Sequence, residues 1–214
     1  MRARTQIDQF RRLNNQELPS WYRWHLHLGA NAMILIIFMA CAFKVSPACT
    51  LTNISLFSCS FLAWSLIEYL IHRFVLHGRI FSSTRLYQQH SINHHSYFNH
   101  QFMTLEQPID LNRVILFTSD LLNLIGLNAA LAWAWSLAAG LDAGILFFLA
   151  GIAYLVAYEV AHGICHLAGW TDFSFARFFA NHHRLHHRTE KTTKKNFSIV
   201  IPVWDLLLGS YGGE

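Results

Sequence analysis

The chain has 214 residues, 53% of them hydrophobic and 13% charged, with a formal net charge of +4. Soluble domains carry about 25% charged residues, so this composition excludes a disordered chain and argues against a soluble globular one. The length suits one domain, and the anomaly is the 14 histidines.

In chain order, the first 25 residues are polar and basic, with Arg2, Arg4, Arg11, Arg12 and Arg23. That is long for the basic region of a cleaved signal peptide, so the apolar run that follows reads as a retained span. Because the basic tracts flank apolar segments, they read as orientation signals rather than nucleic-acid contacts. Crossing a bilayer takes roughly 20 apolar residues. The first candidate span is about 26–43, entered through Trp21, Tyr22 and Trp24, which suit an interfacial aromatic belt. The second is 51–76, interrupted by Glu68. The third is about 114–139, with Asp120, and the fourth about 143–161, with Glu159. Short turns at 44–49, with Pro47, and at 140–142 pair them. The predicted fold is all-α: a polytopic membrane protein of four helices in two hairpins.

Of the 16 Lys and Arg residues, only Lys44 falls on the side of the two short turns. This is the positive-inside pattern, which places both termini and the region 77–112 in the cytosol. The expected organisation is a basic cytosolic segment, 1–25, followed by one membrane domain, 26–214, whose polar cap is 77–112 and 162–214. Near the end, 197–208 is apolar but too short to span, and is expected at the interface or packed under the cytosolic part. Cys41, Cys49, Cys59 and Cys165 form no C-x-x-C pair and no disulfide spacing. Cys41 and Cys59, in apolar runs, read as buried small hydrophobes.

Ten histidines fall in four clusters: His72 and His77; His90, His94 and His95; His162 and His166; His183, His186 and His187. Residues three or four apart share a helix face. Glu159, His162 and His166 therefore align, as do His183, His186 and His187. His90 pairs with His94, leaving His95 to one side. His72 and His77 are five apart, roughly 140° around an ideal helix, and converge only if the helix ends or loosens between them. The first and third clusters lie roughly 31 and 28 Å along their spans, near one edge of a core about 30 Å thick. All four clusters can meet at one membrane–cytosol boundary.

Neutral imidazole binds iron, zinc and copper. Ten donors exceed the needs of one ion and fit two ions with about five each. A tetrahedral structural zinc site wants four ligands, and the soluble carboxylate-bridged di-iron bundle uses Glu-x-x-His motifs. Glu68 and Glu159, each one turn before a histidine, are expected to accept the outer N–H of a ligand and fix its tautomer. His25, His27, His100 and His182 lack such spacing and read as ordinary hydrogen-bonded residues. Asp120 reads as a helix-entry or packing residue. A metal-buffering histidine tract, or a metal transporter or sensor, is the competing class. Transport calls for ligands along a path through the bilayer, whereas these cluster at one edge.

These residues resemble the fatty acid hydroxylase/sterol desaturase superfamily of membrane di-iron proteins. The family pattern H-x(3,4)-H, H-x(2,3)-H-H and a later H-x(2,3)-H-H is met by His72/His77, His90/His94/His95 and His183/His186/His187. The stretch from Glu68 to His77, with the extra pair His162/His166, is similar to the fatty-acid 2-hydroxylase branch. Asn196-Phe197-Ser198, Trp204-Asp205 and Gly209-Ser210 are similar to the family's ending, from which Ser198 and Leu208 depart. The resemblance implies an O2-dependent lipid hydroxylase with two iron ions on the ten histidines (zinc in some preparations), supported by Glu68, Glu159, Asn196 and Asp205. Sterol or carotenoid desaturation or hydroxylation is the alternative within the superfamily, because abstraction of hydrogen from a C–H bond can end in an alcohol or an alkene.

The reaction needs two electrons, and the chain has no dinucleotide, haem or iron–sulfur motif. An external carrier is therefore expected, of cytochrome b5, ferredoxin or rubredoxin type with its reductase. The basic face of Arg184, Arg188, Lys191, Lys194 and Lys195 reads either as its docking site or as ordinary positive-inside charge. The compact chain points to a bacterial inner membrane, with the endoplasmic reticulum as the alternative.

Overall fold

The computed structural model describes residues 2–167, 173–188 and 194–213, and among these the regular structure is helical. A polar helix α1 (Arg2–Gln16) precedes two long apolar helices, α2 (Trp24–Lys44) and α3 (Leu51–Leu70). Helix α3 continues without a break as a π-helical segment, Ile71–Leu76. The next region holds short pieces: α4 (Arg85–Tyr87), a second π-helical segment (Gln88–His94), α5 (His95–Tyr97) and a 3-10 turn (Pro108–Arg113). Then come α6 (Thr118–Ala139), α7 (Leu141–His166), α8 (Ser174–His186) and α9 (Val203–Leu207).

Four helical stretches, Trp24–Lys44, Leu51–Leu76, Pro108–Ala139 and Leu141–His166, are long and apolar enough to cross a membrane. The four expected helices are present, and their ends differ from the expected ones at four places. The first helix begins at Trp24 and the fourth continues to His166. The third is entered through the 3-10 turn, and the turn before the fourth shrinks to Gly140, whose φ of 93° suits a residue without Cβ. Leu51, Trp133 and Leu137 are exposed, as expected of helices whose solvent is lipid. The four cysteines are free thiols, and Cys41 and Cys59 lie on exposed faces rather than buried. Helical periodicity turns them outward, where apolar lipid suits a thiol as well as a core does.

The chain divides into two compact units. One contains 25–68 and 116–160. Its core is Leu35, Leu121, Ile125, Ile152 and Leu155, with Phe38 and Phe148 packed against it. Buried amides tie the helices together, as bilayer-embedded proteins require. Asn31 donates to the Leu116 carbonyl (2.7 Å) and accepts from Thr118, while Asn128 donates to the Phe148 carbonyl (2.9 Å). A Cβ on Gly151 would lie 2.4 Å from the Asn128 amide, so close approach here demands glycine. Asp120 is buried in the first turn of α6, the helix-entry position that favours an anion.

The other unit contains the described residues of Met1–Trp24, Tyr69–Ile115 and Ala161–Glu214. It carries all ten clustered histidines. Its apolar centre is Tyr97, Phe98, Met103 and Val114, with Phe10 of α1 against it. The basic N-terminal segment thus forms a helix that packs within the histidine-rich unit. Phe197 and Ile199 are buried there, while Leu206 and Leu207 of α9 are exposed.

Candidate metal centre

The backbone first decides which imidazoles can meet. In Ile71–Leu76 the hydrogen bonds widen from i+4 to i+5, and the His77 amide donates to the His72 carbonyl (3.2 Å). A π turn of this kind brings residue i+5 back over residue i, so the two rings come to 5.1 Å. This is the loosening that the five-residue spacing calls for. The second π segment does the same for His90 and His95, whose amide donates to the His90 carbonyl. The expected His90–His94 pairing is therefore corrected: His90 converges with His95, and His94 turns elsewhere.

Two groups result. His72, His77, His90, His95 and His186 bring one ring nitrogen each to within 4.8 Å of one another, and so do His94, His162, His166 and His183. His187 joins the second group, with its Nε2 3.0 Å from that of His183 and 3.2 Å from that of His94. The His183–His186–His187 stripe is thus divided. His183 and His187, one α turn apart, serve one group, and His186 serves the other. The first group has two i,i+5 pairs from π turns and a single histidine from α8. The second has two i,i+4 pairs from α helices and a single histidine, His94, from the π region.

The outer nitrogens explain what the inner ones present. Nδ1 of His166, His94 and His186 faces the carbonyls of Met103 (2.8 Å), Arg113 (2.6 Å) and Lys195 (2.9 Å). His72 and His187 face those of Phe197 and Phe98. A carbonyl only accepts, so each of these Nδ1 atoms carries the proton and each Nε2 is left bare. His77 is fixed the same way. The Ser91 hydroxyl donates to the Leu76 carbonyl (2.5 Å), so its oxygen accepts from His77 Nδ1 at 2.8 Å.

Bare nitrogens then face one another. His77 and His186 approach to 3.0 Å between Nε2 atoms, and His94 and His187 to 3.2 Å. Neither contact contains a proton, and adding one is opposed. Burial, reinforced by neighbouring imidazoles, holds His77, His94, His186 and His187 well below the ordinary histidine range. Opposed lone pairs at this distance repel unless a cation accepts both. Two imidazoles at right angles on one ion, at about 2.1 Å each, stand about 3 Å apart. The contacts between Nε2 atoms run from 2.8 Å (His72–His90) to 3.3 Å (His162–His94). The donor set fits two metal ions of more than four ligands each.

The supporting residues divide by unit. Asp205, fully buried, accepts from the Phe197 and Ser198 amides, from Ser210 and from His182. Burial alone would push its carboxyl up, but these donors hold it at about 2. Asn196 sits at φ 58°, a left-handed conformation asparagine tolerates, and bonds His182 and Gly212. Both present the Lys195 and Phe197 carbonyls to His186 and His72. Glu68 accepts from Tyr154 (3.2 Å) and Glu159 from the Leu116 amide (3.0 Å). The outer N–H acceptors seen for His72, His77, His94, His166, His186 and His187 are carbonyls and one serine, not these glutamates. A carbonyl neutral in charge orients a ring without adding an anion to an apolar site. His27 bonds the Leu116 carbonyl and His182 bonds Asp205, ordinary hydrogen-bonded roles. Sequence reasoning missed Ser91 and Arg11. A buried arginine, at 4% exposure, leaves no trace in a basic tract.

Residues 57–210 match the profile of the fatty acid hydroxylase family. The chain belongs to that family. Fatty acid 2-hydroxylase of Rattus norvegicus is 30% identical over 156 residues, 71% of this chain and 38% of the relative, so the chain spans well under half of that protein's length. A solved structure of full-length Scs7p, in which only the hydroxylase domain is visible, superposes on 89% of this chain and 67% of its own with a TM-score of 0.61. At 22% identity that likeness is one of fold. All ten clustered histidines lie within the matched span, and helix α1 lies before it.

Proposed function

We propose that this member of the family is an O2-dependent di-iron hydroxylase that oxidises a fatty acyl chain in the membrane with electrons from an external carrier. The observation that supports it is the pair of five-histidine groups whose ring nitrogens converge, with bare Nε2 atoms opposed at His77–His186 and at His94–His187. His72, His77, His90, His95 and His186 would hold one iron, and His94, His162, His166, His183 and His187 the other. Iron with open positions supplies O2 activation and, through it, oxidation of an unactivated C–H bond. Backbone carbonyls fix the tautomers of His72, His94, His166, His186 and His187, Ser91 fixes that of His77, and burial holds His77, His94, His186 and His187 neutral. Asn196 and Asp205 position the carbonyls behind the first group. Glu68 and Glu159 shape the ends of the long helices on which His72 and His162 lie. A transporter would need ligands spread along the spans, and these are gathered in one unit.

Electrons would enter beside α8. Its ligands His183, His186 and His187 alternate with Arg184, Leu185 and Arg188, which with His100 line a cavity of about 390 Å³. Two arginines, each adjacent in sequence to a ligand, suit an acidic carrier protein. Lys191 lies outside the described residues, and Lys195 donates to the Gly209 and Tyr211 carbonyls. The positive-inside distribution supports reading this face as cytosolic, in a bacterial inner membrane in preference to the endoplasmic reticulum.

The test is His186→Ala in the full chain, purified from membranes. Metal content should fall and acyl hydroxylation with an added reductase and carrier should stop, while membrane insertion persists. Turnover retained in that variant would overturn the reading. An alkene or a hydroxylated sterol in place of a hydroxy acyl product would redirect it within the superfamily.

A further inference from the structure

The carbonyls behind the two histidine groups come from different places. Those for His72 and His186 come from the tail at 195–197, held by Asp205 and Asn196. Those for His187, His166 and His94 come from Phe98, Met103 and Arg113. The segments carrying these last three are held by α1. Arg11 donates to the carbonyls of Tyr97 (3.0 Å), Phe102 (2.7 Å) and Thr104 (3.2 Å) and pairs with Glu106. Its guanidinium lies over the rings of Tyr97 and Phe98. Asn15 donates to the Tyr97 hydroxyl and to Asp110, and Arg113 donates to the Asn14 carbonyl.

We infer that α1 is a clamp for the second metal group alone, and that Arg11 is its positioning residue. This rests on the two-metal reading above. The guanidinium meets the three carbonyls from three different nitrogens held in a rigid plane, a spread that lysine, with its donors on one nitrogen, does not match. Fixing Tyr97, Phe102 and Thr104 fixes the Phe98 and Met103 carbonyls between them, and with those the rings of His187 and His166. Partners behind a ligand typically change metal affinity about 10- to 100-fold. Loss of Arg11 should weaken one site by that factor and leave the other unchanged.

The experiment measures iron per purified full-length chain after dialysis against a chelator. Wild type should retain about two ions, and Arg11→Ala and Arg11→Lys about one, by the two-group count. The selectivity is read from double variants. Adding Arg11→Ala to His162→Ala should cause no further loss, because the second group is already empty, whereas adding it to His72→Ala should leave the chain without metal. Asn15→Ala, a milder lesion of the same clamp, should speed chelator removal of one ion only. Asn196→Ala should empty the first group and, combined with Arg11→Ala, both. Two ions retained by Arg11→Ala at wild-type resistance would overturn the inference while the metal centre stands. So would complete loss in Arg11→Ala/His162→Ala, which marks general unfolding. A wild-type chain that binds no metal would overturn the two-metal reading and this inference with it.

Discussion

Asp205 shows how much one side chain organises. It gathers the amides of Phe197 and Ser198, the Ser210 hydroxyl and His182, and so holds the turn that faces His72 and His186. Its carboxyl lies at about 2 against an ordinary 3.8. A depressed carboxylate contributes stability that is present above the ordinary value and lost as pH falls through the depressed one, here between about pH 4 and 2, on the order of 2 kcal/mol. Asp205→Asn should therefore lower the thermal midpoint at pH 7 and flatten its fall between pH 4 and 2, measured in detergent micelles. An unchanged acid limb would show that other carboxyls carry it. Arg184→Glu with Arg188→Glu should raise the KM for the carrier and abolish its salt dependence while metal content stays at the wild-type value. At this scale the ten clustered histidines that the structure gathers were legible, because histidine spacing records helix faces. Ser91 and Arg11 were not, because both act through backbone carbonyls supplied by other segments.

The π turns are the elements on which the first group depends. A Cβ on Gly78 would lie 1.8 Å from the Phe74 carbonyl oxygen, inside the turn that places His77. Gly78→Ala should force that turn to shift, costing about 1–3 kcal/mol of stability and one metal ion per chain. Full metal content in this variant would mean that His77 is placed by other contacts. On the bilayer helices, Gly151→Ala should drive Asn128 out of its bond to the Phe148 carbonyl, with a lower thermal midpoint and unchanged metal stoichiometry. The four spans were legible from length and hydropathy alone. The π turns were visible only as a requirement, since a five-residue interval demands a wider turn without showing that the backbone will make one. The reassignment of His95 to His90 came from the same cause.

For the molecule as a whole, metal and fold should be coupled. Imidazoles scattered from His72 to His187 are gathered into two groups, with bare nitrogens opposed at His77–His186 and His94–His187. Stripping the ions should therefore lower the thermal midpoint, and readdition should restore it. Topology is testable through Cys49, which is exposed in the turn between α2 and α3. If both termini face the cytosol, a membrane-impermeant maleimide should label Cys49 from the outside of intact cells and not from the cytosolic face.

Composition, span length and histidine periodicity by themselves determined a helical membrane protein with ten clustered imidazoles as candidate metal ligands. They did so because hydrophobic period and ligand spacing are properties of single helices. Tertiary structure decided which five imidazoles belong together, sending His94 to the group of α7 and α8 and His186 to the group of the π turns. It also decided that carbonyls orient five of the rings and Ser91 a sixth, and that an N-terminal arginine is buried behind one group. Those choices depend on backbone segments far apart in the chain, whose meeting no local pattern records.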